Sequence, residues 1–159
     1  MYDPFLLADM DKAVVFIKDA VRSGRRICVY GDYDVDGVTA TTLLSTYLRS
    51  RGANCTCFIP ERISEGYGLN SEAIKTISRQ CDVIITVDTG ITAVEEVEYA
   101  RSLGVDVVIT DHHSCRDVLP AAVAVVDPYR VDDSYPYKAL AGVGVVFKLV
   151  CALEGNSAK

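Results

Sequence analysis

Apolar residues follow two alternating spacings along the chain, and this alternation predicts a sheet interleaved with helices. Helical spacing recurs over residues 10–22, 38–49, 71–78, 93–102 and 140–153. Short, almost wholly apolar runs occupy residues 26–30, 54–59, 82–87, 105–110 and 122–126. Strands that alternate with helices form parallel sheets, and parallel strands are apolar because they are buried on both sides. We therefore predict an α/β fold in which a parallel five-stranded sheet carries helices on both faces.

Composition places the chain among ordinary globular domains. It has 159 residues, of which 50% are hydrophobic and 24% are charged. No apolar run approaches the roughly 20 residues that cross a bilayer. Charged residues interrupt the N-terminus, so no signal-peptide pattern is present. The sequence therefore predicts a cytoplasmic protein without a membrane partner. Most of its cysteines lie in apolar segments, which predicts that they are reduced core residues.

Three aspartates follow the first predicted strand at alternate positions. Asp32, Asp34 and Asp36 come directly after the apolar run of residues 27–30. In an extended backbone alternate side chains point the same way, which predicts that the three carboxylates converge on one face. Such a cluster repels itself unless a cation lies within it, and hard divalent cations prefer oxygen ligands. The stretch therefore predicts a metal site.

Three other predicted strands also end in aspartate. Asp88 follows the third strand, Asp111-His112-His113 follows the fourth, and Asp127 follows the fifth. Each alone is typical of a turn or a helix cap, but parallel strands bring their carboxyl ends to one edge, where ligands bind. Carboxylates combined with imidazole favour Mn²⁺ over Ca²⁺. The net charge of −6 would fall to −2 with two divalent cations, so it neither requires nor excludes a nucleic-acid substrate.

These residues lie in stretches that resemble the signature motifs of the DHH phosphoesterase family. The first three motifs match Gly31-Asp-Tyr-Asp-Val-Asp-Gly37, Thr86-Val-Asp-Thr-Gly-Ile91 and Thr110-Asp-His-His113. Three further stretches resemble the RecJ-like branch, which comprises single-strand-specific 5′→3′ exonucleases: residues 60–69, Val126-Asp-Pro128 and residues 140–149. The resemblance implies a Rossmann-like fold and covers essentially the whole chain.

The resemblance also implies a role for each matching residue. The expected metal ligands are Asp34, Asp36, Asp88 and His112, with Asp88 bridging two Mn²⁺ ions, or Mg²⁺ as the alternative. His113 is expected to act in catalysis and substrate binding, and Asp32 and Asp111 as supporting catalytic carboxylates. Arg62 is expected to hold substrate phosphate, although an exposed loop arginine would look the same. Asp127 is expected to form a structural turn.

The implied activity is metal-dependent hydrolysis of single-stranded DNA in repair and recombination, with replication or repair proteins as further partners. The resemblance implies that residues 1–159 form a DHH domain truncated before the fourth motif and the C-terminal substrate-binding domain. Weak or absent nuclease activity is therefore expected of this chain alone. Two alternatives remain open. One is a DHH phosphoesterase acting on short RNA, cyclic dinucleotides or pyrophosphate, and the other is an inactive scaffold in a replication assembly.

Overall fold

The computed structural model describes residues 1–61 and 68–155, and its centre is a five-stranded sheet. All four strand pairings are parallel, and the strand order is β2-β1-β3-β4-β5. The strands are β1 (Arg26–Gly31), β2 (Asn54–Phe58), β3 (Val83–Val87), β4 (Asp106–Thr110) and β5 (Ala124–Val126). The predicted parallel five-stranded sheet is confirmed.

Among the described residues, one α-helix precedes the first strand and four others connect or follow the strands, and a short 3-10 helix (Pro4–Leu6) that the sequence did not predict precedes all of them. The helices are α1 (Met10–Arg22), α2 (Val35–Ser50), α3 (Ser71–Ser78), α4 (Val94–Ser102) and α5 (Gly142–Leu153). Two of these match their predicted bounds, and the largest difference concerns α2. It begins three residues earlier than predicted because Asp34 caps its N-terminus by accepting a 2.7 Å hydrogen bond from Gly37 N.

The helices pack on both faces of the sheet, as predicted, and each face has its own apolar core. One core joins α1, α2 and α5 to the sheet, with Ile17, Leu44 and Leu149 among its fully buried residues. The other core joins α3 and α4 to the opposite face through residues such as Ile74 and Val97. Since successive residues of a strand point to opposite faces, each apolar strand contributes to both cores.

Two further features of the fold bear on function. Among the residues that the structure describes, no helix is long and apolar enough to cross a membrane. All six cysteines are unpaired. Cys28, Cys55 and Cys81 are buried, as expected of core residues, whereas Cys57 is exposed and does not fit that expectation.

Candidate metal centre

The register of the sheet brings the chemically active residues to one edge. Gly31 of β1 pairs with Val87 of β3, and Thr110 of β4 pairs with Val126 of β5. Each strand ends within a residue of these positions, so the residues that follow the strands emerge side by side. The residues gathered at this carboxyl edge are Asp32, Asp88, Asp111, His112, His113 and Asp127.

The geometry predicted for the first three aspartates is wrong. β1 ends at Gly31 and α2 already begins at Val35, so no extended segment presents these residues on one face. Asp34 is the N-cap of α2 and Asp36 lies in its first turn. A tight chain reversal still brings two of the three together, since oxygens of Asp32, Asp34 and Asp88 all lie within 4.8 Å of one another.

This reversal depends on a glycine. Gly37 packs directly against the backbone of Asp32, and a Cβ at this position would overlap the Asp32 carbonyl group. Asp32 is buried, and its Oδ1 accepts a 2.7 Å hydrogen bond from Tyr33 N. Burial raises the pKa of Asp32, and the hydrogen bond from Tyr33 partly offsets that rise.

Asp36 is held by a helix that the sequence analysis did not connect with it. Its two carboxylate oxygens accept hydrogen bonds of 2.7 Å each from Gly142 N and Val143 N, in the first turn of α5. Unpaired N–H groups and the helix dipole make such a terminus favourable for a carboxylate. Asp36 Oδ2 also lies 3.4 Å from His112 Nε2. The only sequence signal for this contact was the glycine-rich start of α5.

Asp88 is the most strained and least satisfied residue of the cluster. Its φ of 60° lies in the left-handed region, which is unfavourable for a residue with a Cβ. Its side chain is 1% exposed, and apart from the ring nitrogen of His112 no described residue places a donor at either carboxylate oxygen. Gly142 of α5 packs so closely that a Cβ there would lie 2.5 Å from Asp88 Oδ1.

The electrostatic environment of Asp88 favours a cation beside it. Burial, reinforced by the neighbouring carboxylates of Asp36 and Asp34, raises its pKa to about 8. A buried carboxylate that has, among the described residues, only the His112 ring nitrogen as a polar partner and lies among like charges is unfavourable unless a cation compensates it. The residues present therefore fit a divalent cation, for which Asp88 would supply the central ligand.

The two histidines make different contacts. His112 Nε2 lies 2.8 Å from Asp88 Oδ1, which places this ring nitrogen inside the cluster. His113 Nδ1 lies 2.6 Å from Asp111 Oδ1, and its side chain is 56% exposed. The hydrogen bond to Asp111 raises the pKa of His113 to about 9. The two rings lie 4.4 Å apart between centroids.

Asp111 orients the segment that carries both histidines. It is 1% exposed, and its Oδ2 accepts a 3.0 Å hydrogen bond from Ile91 N. Its Oδ1 accepts a 2.8 Å hydrogen bond from His112 N in addition to the His113 ring contact. An outer carboxylate that fixes a histidine in this way is common around metal ligands.

The candidate ligand atoms form two overlapping groups. Atoms of Asp88, His112 and His113 lie within 4.8 Å of one another, as do those of Asp32, Asp34 and Asp88. Asp88 belongs to both groups, a position compatible with a residue shared by two ions. Mixed oxygen and nitrogen donors suit manganese-like ions rather than Ca²⁺.

Other predicted positions remain apart from these two groups, and Asp36, an expected ligand, belongs to neither of them. Arg62 lies outside the residues that the structure describes. Asp127 Oδ1 accepts a 2.8 Å hydrogen bond from Tyr129 N, as in the expected turn. However, Asp127 is fully buried, its Oδ2 has no hydrogen-bond partner among the described residues, and burial raises its pKa to about 7.

Comparison with known proteins identifies the family of the chain. The model of the DHH family, N-terminal domain, matches residues 26–159. The chain is 48% identical over 156 residues to the single-stranded-DNA-specific exonuclease RecJ of Bacillus subtilis, covering 98% of this chain. It spans 20% of that relative's length and 26% of the length of the Escherichia coli RecJ.

Solved structures give the same result. A crystal structure of exonuclease RecJ bound to manganese matches with a TM-score of 0.86 and 37% identity, covering 94% of this chain and 38% of that chain. RecJ of Thermus thermophilus in complex with Mg²⁺ matches with a TM-score of 0.61 and 30% identity, covering 94% of this chain and 17% of that one. On its sequence and its fold, the chain belongs to the DHH family.

Proposed function

We propose that this chain contributes the metal-binding part of a hydrolase that cleaves phosphodiester bonds in single-stranded DNA. The observation that carries the proposal is the buried, unsatisfied carboxylate of Asp88, which lies in both candidate ligand groups. Relatives with this fold include single-stranded-DNA-specific exonucleases, one of them with manganese bound in its structure. The proposal includes a cytoplasmic protein that acts in DNA repair and recombination, alongside other repair or replication proteins.

The expected metal ligands retain their roles in this proposal. Asp34, Asp36, Asp88 and His112 would hold two Mn²⁺ ions, with Mg²⁺ as the alternative, and Asp32 would support them. Divalent ions in such a site stabilise charge on a phosphoryl group and make a water molecule more acidic. The carboxylates alone would repel the negatively charged DNA. With cations bound, the site can accept it.

His113 is proposed as the catalytic residue that contacts the substrate. Because the pKa of His113 is about 9, the ring is protonated at neutral pH, so its Nδ1–H donates to Asp111 and its Nε2 also carries a proton. This leaves Nε2 of an exposed ring free to contact a phosphate oxygen or the leaving oxygen. Asp111 acts through His113 and is a positioning residue. Arg62 is proposed to bind substrate phosphate.

One experiment tests this proposal on the chain itself. Single-stranded DNA with a labelled 5′ phosphate is incubated with the chain and Mn²⁺, and nucleotide release is followed over hours. We expect slow release that is abolished by a chelator and by Asp88→Asn. A duplex of the same sequence should be resistant, and DNA labelled at the 3′ end reports the direction of digestion. Release that survives a chelator, or that is detectable and equally fast in Asp88→Asn, would contradict metal-dependent hydrolysis at Asp88.

A further inference from the structure

Two cysteines lie close together at the opposite side of the sheet from the candidate metal centre. Cys28 belongs to β1 and Cys81 to the connection 79–82 between α3 and β3. Both thiols are buried within the apolar core formed with α3 and α4, at 2% and 6% exposure. The proposed hydrolysis uses neither of them.

The strand register explains how the two side chains meet. Cys28 pairs with Thr56 of β2, so both side chains point to the same face of the sheet. Thr56 Oγ1 lies 3.7 Å from Cys81 Sγ, which places the Cys81 sulfur above this pair of residues. The Cys28 and Cys81 thiols therefore lie close enough to interact with each other.

The other cysteines of this region differ in position. Cys55 precedes Thr56 and belongs to the core on the opposite face of the sheet. Cys57 also alternates away from Thr56 and is exposed, with its Sγ 3.9 Å from Arg49 Nη2. Proximity on one face therefore singles out Cys28 and Cys81 as a pair.

The two thiols of this pair are not equivalent. The interaction with Cys28 lowers the pKa of Cys81, and Thr56 and the positive charge of Arg26 act in the same direction. The same interaction, together with burial, raises the pKa of Cys28. Because the thiolate is the reactive form of cysteine, Cys81 is the nucleophile of the pair and Cys28 keeps its proton.

We propose that Cys28 and Cys81 are an oxidative modification site, at which hydrogen peroxide converts the two thiols into a reversible disulfide. The Cys81 thiolate attacks one peroxide oxygen and the O–O bond breaks, which gives a sulfenic acid and, after protonation, water. The Cys28 sulfur then attacks the Cys81 sulfur, the S–O bond breaks, and the departing hydroxide takes the Cys28 proton as a second water. Two thiols lose two electrons, and one peroxide is reduced to two waters.

Formation of the disulfide depends on movement of the Cys81 side chain. A disulfide requires the sulfurs to approach to about 2.05 Å. Cys28 is fixed within a central strand, whereas Cys81 lies outside regular secondary structure. The backbone N–H groups of Cys81 and Asp82 are hydrogen-bonded to Ile77 O and Arg26 O, so rotation of the Cys81 side chain has to supply most of the approach.

Peptide mapping of the whole chain tests the proposal. The reduced protein carrying Cys57→Ser, which removes the exposed thiol, is treated with hydrogen peroxide, unfolded, alkylated and digested without reductant. We expect a cross-linked peptide containing Cys28 and Cys81, two fewer alkylated thiols, and full recovery of both after dithiothreitol. The proposal is overturned if both residues remain alkylated, whether or not another cysteine is oxidised.

Single variants test the order of the two steps. In Cys28→Ser the reaction should stop at a Cys81 sulfenic acid that dimedone captures, whereas in Cys81→Ser residue Cys28 should remain reduced. Cys115→Ser serves as the matched control and should form the disulfide at the unchanged rate. Thr56→Val should slow disulfide formation several-fold, because Thr56 helps to lower the pKa of Cys81. Oxidation of Cys28 at the unchanged rate in Cys81→Ser would contradict the assigned nucleophile.

Discussion

β3 has one aspartate directly before its first residue and another directly after its last, and the two have opposite environments. Asp82 accepts hydrogen bonds from Arg26 through the backbone N and two guanidinium nitrogens, at 2.9–3.2 Å. These bonds lower its pKa to about 2. Asp88 is buried among other carboxylates, and its pKa is raised to about 8. The two aspartates are separated by five residues, yet their pKa values are shifted in opposite directions.

The contrast extends to the two edges of the sheet. At the amino edge, Arg25 pairs with Asp106 at 2.8 Å and Arg26 pairs with Asp82 at 2.9 Å, so both carboxylates have a cationic partner. At the carboxyl edge, Asp88 and Asp127 each leave at least one buried oxygen without a hydrogen-bond partner among the described residues. Burying carboxylate oxygens without partners is unfavourable, so we expect an external cation to bind at the carboxyl edge.

The largest expected effect comes from removing the negative charge of Asp88, at the carboxyl end of β3. Asp88→Asn should weaken Mn²⁺ binding by at least about 100-fold, since even loss of an outer partner of a metal ligand costs 10–100-fold. The same substitution should raise the free energy of unfolding of the metal-free protein at neutral pH, because it removes a buried carboxylate that lies among like charges. Calorimetric titration with Mn²⁺ and urea denaturation measure the two quantities.

Asp82→Asn is the matched control for this test. It lies on the same strand but at the amino edge, so it should leave the affinity for Mn²⁺ unchanged. An equal loss of Mn²⁺ affinity in both variants would show that binding depends on the fold rather than on the carboxyl edge. Unchanged affinity in Asp88→Asn would remove Asp88 from the proposed ligand set.

The next effect in size concerns the helix that packs on the carboxyl edge. Gly142→Ala would place a Cβ 2.5 Å from Asp88 Oδ1, and the resulting overpacking should destabilise the protein by about 1–3 kcal/mol. Gly144→Ala, two residues later in the same helix, would meet only the side chain of Leu140, whose nearest atom, Cδ2, lies at 3.3 Å. Because alanine favours helix, this control should be neutral or slightly stabilising. A similar loss of stability in both variants, measured by urea denaturation, would contradict the tight Gly142–Asp88 contact.

The two edges also predict opposite responses to pH. The folded-state pKa of Asp88, about 8, exceeds the unfolded value of about 3.9. Between these values the folded state holds a proton that the unfolded state has lost. The free energy of unfolding of the metal-free protein should therefore fall as pH rises through this window, by at most about 1.4 kcal/mol per pH unit for one proton. Asp127, with a pKa of about 7, acts in the same direction.

Denaturation at several pH values, with and without Mn²⁺, measures this dependence. Saturating Mn²⁺ should flatten the slope, since a metal ligand must be deprotonated in order to bind. Asp88→Asn should flatten it without metal. Asp82 contributes in a different window: its lowered pKa gives stability that is present above about pH 4 and is lost as pH falls towards 2. If, without metal, the free energy of unfolding falls equally steeply with pH in the wild type and in Asp88→Asn, the raised pKa of Asp88 is contradicted.

The sequence predicted the fold well because the signal for it is local. Apolar strands and amphipathic helices are each recognisable within about a dozen residues. The N-terminus of α3 is likewise determined locally, because Asn70 caps it by accepting a 2.8 Å hydrogen bond from Ala73 N. The common edge of Asp88, Asp111 and His112 followed from the parallel topology alone. The 3-10 helix at Pro4–Leu6 was missed because a single turn has too few residues for a periodic pattern.

The details of the site depend on contacts between distant residues, which no local pattern contains. The prediction that Asp36 lies on an extended face failed because the cap at Asp34 starts α2 early. Asp36 then meets Gly142, more than a hundred residues away, through a helix terminus that becomes its partner only in the folded chain. The left-handed backbone of Asp88 is likewise imposed by tertiary structure, since aspartate has no local preference strong enough to require it.

The smallest expected effect concerns the amino edge itself. Asp82 and Arg26 are partly exposed, so removing their ion pair with Asp82→Asn should lower the melting temperature only slightly. High salt should erase the difference from the wild type, because exposed charges are screened. Melting curves at low and high NaCl test both statements. A large loss that persists in high salt would mean that the Asp82 hydrogen bond to Arg26 N, rather than its charge, holds β1 against β3. The amino edge would then be stabilised by backbone geometry, and the contrast between Asp82 and Asp88 would be one of hydrogen bonding as well as charge.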